Sequence, residues 1–356
     1  MAKNKIDLGC AQTKGTFQLS GKVTGVMSNG FYAEGDTKNG GSYRRVHFGV
    51  EIEEGMTIYV DLFGTTADTV YFSKTIRDNG KNKTTTNAVK WADRFKTSKQ
   101  LFGEDGFRVI GVTCGCKKII DSKGREVNDK KYLTPFDACD EVQNLNDGDD
   151  VFIRGNIVYS TYNGQHRVSF EPTQISLCKE IDFSDINFKP NAQFTQNIVC
   201  MNVAKNEETP GEAVVTAKIV NYSSVEETEL YTRDGSLAKN IKKLGEYCFL
   251  KVWGDIVVDG VTEEVETDNT GWGSSNKMER VGSQFKRKLM ITGADPDSID
   301  KESYSEEKIE HALEVVAGIQ NAKNDYGMKD EKSEGWGNKQ GGNDLDDDDE
   351  DFDLGI

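Results

Sequence analysis

Tyr43-Arg44-Arg45-Val46-His47-Phe48-Gly49-Val50 alternates strictly along the chain. In an extended strand successive side chains point to opposite faces, so Val46, Phe48 and Val50 share one side and Tyr43, Arg45 and His47 the other. The first side is a core face. The second offers water a phenol, a guanidinium and an imidazole. The pattern resumes at Met56-Thr57-Ile58-Tyr59-Val60-Asp61-Leu62-Phe63, a short step later, as the second strand of a hairpin.

Similar alternating or β-branched runs occur at 16–27, 43–52, 56–63, 107–114, 151–160, 165–170, 213–221, 247–258 and 285–292. Asn-Gly or Asp-Gly pairs stand at 29–30, 39–40, 79–80, 105–106, 147–148, 163–164, 234–235 and 259–260, many of them between these runs. Such pairs supply the positive φ angles of tight hairpin turns. The combination predicts an antiparallel, mainly β protein. Two helices are expected beside it. In residues 87–102, Ala88, Trp91, Ala92, Phe95 and Phe102 form one stripe and Lys90 and Arg94 another; in 304–322, Ile309, Ala312, Leu313, Val316 and Ala317 share a face behind a Ser303/Glu306 capping box.

Two internal echoes point to repeated units. Leu19-Ser20-Gly21-Lys22-Val23, Ile153-Arg154-Gly155-Asn156-Ile157 and Val215-Thr216-Ala217-Lys218-Ile219 share one pattern, and Tyr59 to Gly64 matches Phe249 to Gly254 with an aromatic-glycine ending. Glycine there permits a sharp bend, so two or three related small barrels are predicted.

The 356 residues carry a formal charge of −16, which as a bulk figure argues against nucleic acid. The distribution reverses that argument. Residues 1–131 hold 22 basic and 15 acidic side chains (+7), residues 132–320 hold 18 and 33 (−15), and residues 321–356 hold 4 and 12 (−8). The most basic stretch, 74–99, has Lys74, Arg77, Lys81, Lys83, Lys90, Arg94, Lys96 and Lys99 against Asp78 and Asp93. Between Asp344 and Asp353 stand eight carboxylates and no cation, a self-repelling run predicted to be extended and disordered.

Single-stranded nucleic acid is held by rings on which bases stack and by cations that follow the phosphates. Tyr43, Arg44, Arg45 and His47 have that chemistry. The stretch from Lys74 through Arg77, Lys81 and Lys83 reads as a flexible basic loop, feeding a helix that carries Lys90 and Arg94. Tyr162 and Arg167, around the turn at 163–164, form a candidate second contact surface. Lys286-Arg287-Lys288 is a weaker one.

Enzyme chemistry finds little support. There is no phosphate-binding glycine-rich loop of either common type and no H-E-x-x-H pair, and only three histidines are present. Cys114-Gly115-Cys116 lacks two further ligands at sensible spacing for zinc. No metal or other cofactor is expected. No apolar run reaches the ~20 residues of a membrane span. The N-terminal residues lack a signal-peptide pattern, and seven scattered cysteines read as reduced thiols, so a cytoplasmic protein is expected, the host cytoplasm if it is viral.

Basic-aromatic strands followed by Asp346-Asp347-Asp348-Asp349-Glu350-Asp351-Phe352-Asp353-Leu354-Gly355-Ile356 resemble the single-stranded DNA-binding proteins, and the size resembles their bacteriophage members. The resemblance implies oligonucleotide-binding (OB) barrels at about 12–180, with the basic segment 74–102 inside it, and 195–296. A C-terminal helix at 303–323 and a disordered linker and tail at 324–356 would follow. It implies coating and protection of single-stranded DNA in replication, recombination or repair, with no catalysis. Asp351, Phe352, Asp353, Leu354 and Ile356 would recruit replication or recombination proteins, although the Pro-Phe ending of the bacterial family is absent. The tail would also compete with DNA for the basic 74–99 surface. Self-association is a further expectation, no membrane partner is expected, and a phage assembly protein or an acidic DNA mimic are the rival readings.

Overall fold

A computed structural model describes residues 7–37, 40–78, 80–162, 164–262 and 283–325. Strand β1 (Gly15–Thr24) buries every second residue, with Phe17, Leu19 and Val23 in the core. After β2 (Tyr32–Asp36), β3 (Ser42–Glu53) and β4 (Met56–Thr65) form the hairpin that the alternation predicts. Val46, Phe48 and Val50 of β3 are buried, as are Ile58, Val60 and Leu62 of β4.

The basic stretch departs from expectation. Up to Lys90 it is neither a loop nor a helix: β5 (Thr69–Asp78) and β6 (Lys81–Lys90) pair without interruption from Thr69–Lys90 to Asp78–Lys81. Three consecutive threonines, Thr84, Thr85 and Thr86, favour the extended chain, and the ladder satisfies the backbone groups of both strands. Only the base of this ribbon is packed. Val70, Phe72 and Val89 bury against Phe107, with Phe102 and Leu101 beside them, and β7 (Arg108–Val109) joins there through Phe72–Val109. The predicted helix shrinks to one turn at Trp91–Asp93 and to α1 (Ser98–Phe102), capped reciprocally by Thr97 and Gln100.

The chain continues through β8 (Val112–Gly115), the small hairpin β9 (Lys118–Ile120) and β10 (Glu126–Asn128), β11 (Lys131–Leu133) and α2 (Pro135–Val142). The long hairpin β12 (Asp150–Tyr162) and β13 (Gln165–Leu177) follows. Then come β14 (Asn191–Lys205), which the runs above do not include, β15 (Ala213–Val220), β16 (Val225–Thr232), α3 (Gly235–Leu244), β17 (Cys248–Thr262) and β18 (Ser283–Asp300). Helix α4 (Glu306–Asp325) closes the described chain, packing Ile309, Ala312 and Val316 against Leu8, Val199 and Val220. Its first amide bonds run to the Ser305 carbonyl, so Ser305 rather than Ser303 opens it; the Ser303 amide donates to Asp300.

The expected two or three OB-type barrels are not what forms. Thirteen strands share one mixed sheet, ordered β11-β8-β13-β12-β1-β14-β15-β16-β18-β17, with β2, β3 and β4 branching from β1. β1 is the seam: it pairs with β12 along Gly15–Lys22, with β14 along Gly15–Ser20 and with β3 at Lys22–Thr24. A barrel closes only when its terminal strands share a ladder. Among the described residues β4 pairs with β3 alone; β17 pairs with β14 as well as with β18, but the path from β14 through β15 and β16 reaches β18 at a single pair, Tyr231–Met290. One apolar cluster, from Phe17 through Phe48, Ile153 and Ile198 to Ile291, fills the interior across both halves.

The aromatic-glycine echo proves to be about close approach. A Cβ at Gly64 would lie 2.1 Å from the Phe136 amide nitrogen, so glycine admits α2 to the β4 backbone. At Gly254 it would lie 1.9 Å from the Met290 carbonyl, where the β17–β18 register shifts.

Candidate nucleic-acid interface

The outward side of the β3–β4 hairpin is built by alternation. Tyr43, Arg45 and His47 of β3 lie among Tyr59, Asp61 and Phe63 of β4, with Arg45 opposite Phe63 and His47 opposite Asp61. The Tyr43 and Phe63 rings stack at 5.9 Å between centroids and 26° between planes, and Phe63 remains 52% exposed. That exposure makes this pair a platform with ring surface left over.

The rest of the hairpin face is internally paired. Asp61 receives Arg45 through Nη2 at 2.5 Å, and lies 2.9 Å from His47 Nδ1. Burial alone raises the Asp61 carboxyl, but the His47 hydrogen bond and the Arg45 charge outweigh it and hold the group below its ordinary value. The His47 imidazole stacks on Tyr59, 5.1 Å away and within 3° of parallel. Arg44 points the other way, to Glu34 and Asp140, its guanidinium 4.1 Å from the Phe136 ring centre. It ties β3 to α2.

The ribbon sorts the basic candidates. Lys74 pairs with Glu104 at 2.7 Å and lies over Phe107. Arg94 is held by both oxygens of Asp137, at 2.8 and 3.0 Å, between the Trp91 and Phe95 rings. These two stabilise the base of the ribbon. By contrast Arg77, Lys81, Lys83 and Lys90 are exposed, with no ionic partner among the described residues. Register puts Lys81 and Lys83 on one face of the ribbon and Arg77, Lys90 and Tyr71 on the other; Tyr71 is 54% exposed. Three residues separate β4 from β5, so ribbon and platform are consecutive in the chain.

The hairpin β12–β13 contributes less. Its end lies against β16: Thr161 donates to Glu226 and contacts His166 Nδ1 at 2.9 Å. Arg167, opposite Ser160, is likewise engaged. Tyr162 ends β12 at the turn, and its side chain lies outside the described residues. So do Lys286 and the tail residues Asp351, Phe352, Asp353, Leu354 and Ile356. Lys288 is buried, 3.0 Å from Glu212.

Alternation in Tyr59–Phe63, set against 43–50, is the signal for Phe63, Asp61 and Tyr59, which residue-by-residue selection passes over. All seven cysteines are free thiols. Cys114 is driven well above its ordinary pKa by its contact with Cys116 and by burial, opposing the thiolate that a metal needs. Among the described residues no group of three or more His, Cys, Asp or Glu is placed to hold a metal ion, and no helix is long and apolar enough to cross a membrane.

One protein-family model, described as YorF, matches residues 14–333. No curated protein matches. Two solved structures of the single-stranded DNA-binding protein from Thermus aquaticus, the wild type and a deletion mutant, are similar at 12% identity and a TM-score of 0.35. Each comparison covers 80% of this chain and 93–94% of theirs.

Proposed function

The chain belongs to the YorF family, and we propose that it binds single-stranded nucleic acid without strong sequence preference. The carrying observation is the ribbon. Five cations, Lys74, Arg77, Lys81, Lys83 and Lys90, stand there against Asp78 alone, and four of them have no ionic partner among the described residues. A protein surface ordinarily intersperses both signs of charge. A β-ribbon with free cations, following three residues after the strand that carries Phe63 of the stacked ring pair, supplies the two elements that unpaired strands need. Phosphates run along the ribbon, and bases stack on Phe63 and Tyr43.

The basic candidates divide by availability. Arg77, Lys81, Lys83 and Lys90 meet phosphate. Arg44, Lys74 and Arg94 hold the scaffold, and Arg45 and His47 position the platform through Asp61. A duplex keeps its bases stacked on one another, so the ring platform gains nothing from it. Titrating the protein with oligo-dT and with a duplex of equal length at several salt concentrations tests the proposal. Micromolar or tighter oligo-dT binding, weaker for duplex and steeply salt-dependent, is expected; indifference to both would sink it.

A further inference from the structure

A second surface lies across the seam between the halves, away from the ribbon. It is an open groove of about 560 Å³ floored by outward residues of β1, β12, β14 and β17. Register places Arg154, Gln18, Gln193 and Asp255 in one row across those four strands. The next row ends in Thr195 and Trp253. The Trp253 indole is 41% exposed and is supported from below: a Cβ at Gly293 would lie 2.5–2.9 Å from its Nε1, Cε2 and Cζ2 atoms. Glycine therefore lets the ring lie against the β18 backbone, leaving the rest of it to the groove.

The charges in this groove are unused. Arg154 and Asp255 are both exposed, and neither has an ionic partner among the described residues. They do not neutralise each other because three strand spacings, about 14 Å, separate them. Asp255 and Trp253 are two residues apart on the same side of β17, roughly 7 Å. The groove thus offers, in order, a cation, a strip of amides, and a carboxylate beside an indole. Gln18 already donates to Gln193 at 2.8 Å, which fixes the strip.

We infer that this groove takes an amino-bearing base of a single-stranded nucleic acid, its ring on Trp253, its exocyclic amine on Asp255 and an adjoining phosphate on Arg154. The inference rests on the reading given under Proposed function and adds a selectivity to it. A carboxylate accepts from the amine of cytosine, and adenine and guanine offer amines too. Thymine has none. The same surface leads to the platform: Gln18 and Thr24 point to one side of β1, and Thr24 is paired with Gly49, two residues from His47 on β3. The run from Gln18 to Thr24 is about 20 Å.

The test compares oligo-dC with oligo-dT of equal length on the full chain, slightly above neutral pH so that cytosine stays unprotonated. Wild type is expected to prefer oligo-dC by about tenfold. Asp255→Asn should bring the ratio toward one, and Trp253→Ala should weaken both. Trp253→Phe, which keeps a ring, should recover part of that loss and guards against misfolding. Equal wild-type affinity for the two oligonucleotides, or a ratio that Asp255→Asn does not move, overturns the inference. So does a neutral oligosaccharide that needs Trp253 when oligonucleotides do not. Salt-dependent oligonucleotide binding that is lost with the ribbon cations and indifferent to Trp253 would leave the broader reading standing. No oligonucleotide binding at all removes both.

Discussion

The β5–β6 ribbon and the Glu212 site of the β14–β18 half treat cations in opposite ways. On the ribbon Arg77, Lys81, Lys83 and Lys90 face solvent without an ionic partner among the described residues. In the other half Lys288 is buried against Glu212, whose side chain is fully buried too and also meets Arg233 at 3.4 Å, while Lys218 pairs with Glu227. Formal charge therefore does not measure what a surface offers. The −15 of residues 132–320 includes carboxylates consumed in holding buried or neighbouring cations. The +7 of residues 1–131 is concentrated where it is free.

The largest effect should come from the consumed charge. Replacing Glu212 by Gln removes the carboxylate against which Lys288 is buried, and the loss should be about 3–5 kcal/mol of stability, read as a lower urea midpoint. Oligo-dT affinity of the folded fraction should not change. A loss under about 1 kcal/mol would erase the contrast between the two regions, because surface pairs are worth that little.

The ribbon should behave in reverse. Changing Arg77, Lys81, Lys83 and Lys90 together to Gln should leave the urea midpoint nearly fixed. The slope of log affinity against log salt should become shallower by about 2.8, at roughly 0.7 for each lost phosphate contact on a single strand. An unchanged slope means that the free cations face no phosphate.

Tyr43→Ala and Phe63→Ala separate stacking from charge. Each should lose about 1–3 kcal/mol of oligonucleotide binding with the salt slope intact. If the slope falls instead, the rings are supporting the ribbon rather than receiving bases.

The smallest effect sits between platform and scaffold, at Asp61. Its carboxyl is held below the ordinary value in the folded protein, so the unfolded chain takes up its proton first as pH falls. The stabilisation is fully present above the unfolded pKa of about 3.9 and disappears as pH drops through the lower folded value. Asp61→Asn should cost about 1–2 kcal/mol at neutral pH and flatten this part of the acid-unfolding curve. Equal acid sensitivity in both proteins would show that Arg45 and His47 do not depend on Asp61.

Much of the fold is legible locally. A two-residue period is a property of the strand itself, so β3 and β4, their buried sides and their outward rings follow from the order of residues. The stripe of α4 is legible for the same reason, since Ile309, Ala312 and Val316 recur at helical spacing. The ribbon escapes a local reading because Ala88, Trp91 and Phe95 mimic a helical stripe. The competing signal, three threonines in register with Ser73, Lys74 and Thr75, requires knowing the partner strand. Selecting sites by residue type also fails to separate Arg94, clamped by Asp137 from 43 positions away, from Lys90 four residues before it.

What the sequence determined by itself is therefore part of the strand set, β3 and β4 with their buried sides among it, and the place where positive charge accumulates. Periodicity and charge are local, and each strand carries its own record of them. Only the tertiary structure decided that β1 joins both halves into one sheet, that Glu212 and Lys288 neutralise each other, and that Arg154 and Trp253, 99 residues apart, face the same groove. Those outcomes depend on which distant strands pair and in which register. A shift of one residue would turn every one of these side chains to the opposite face.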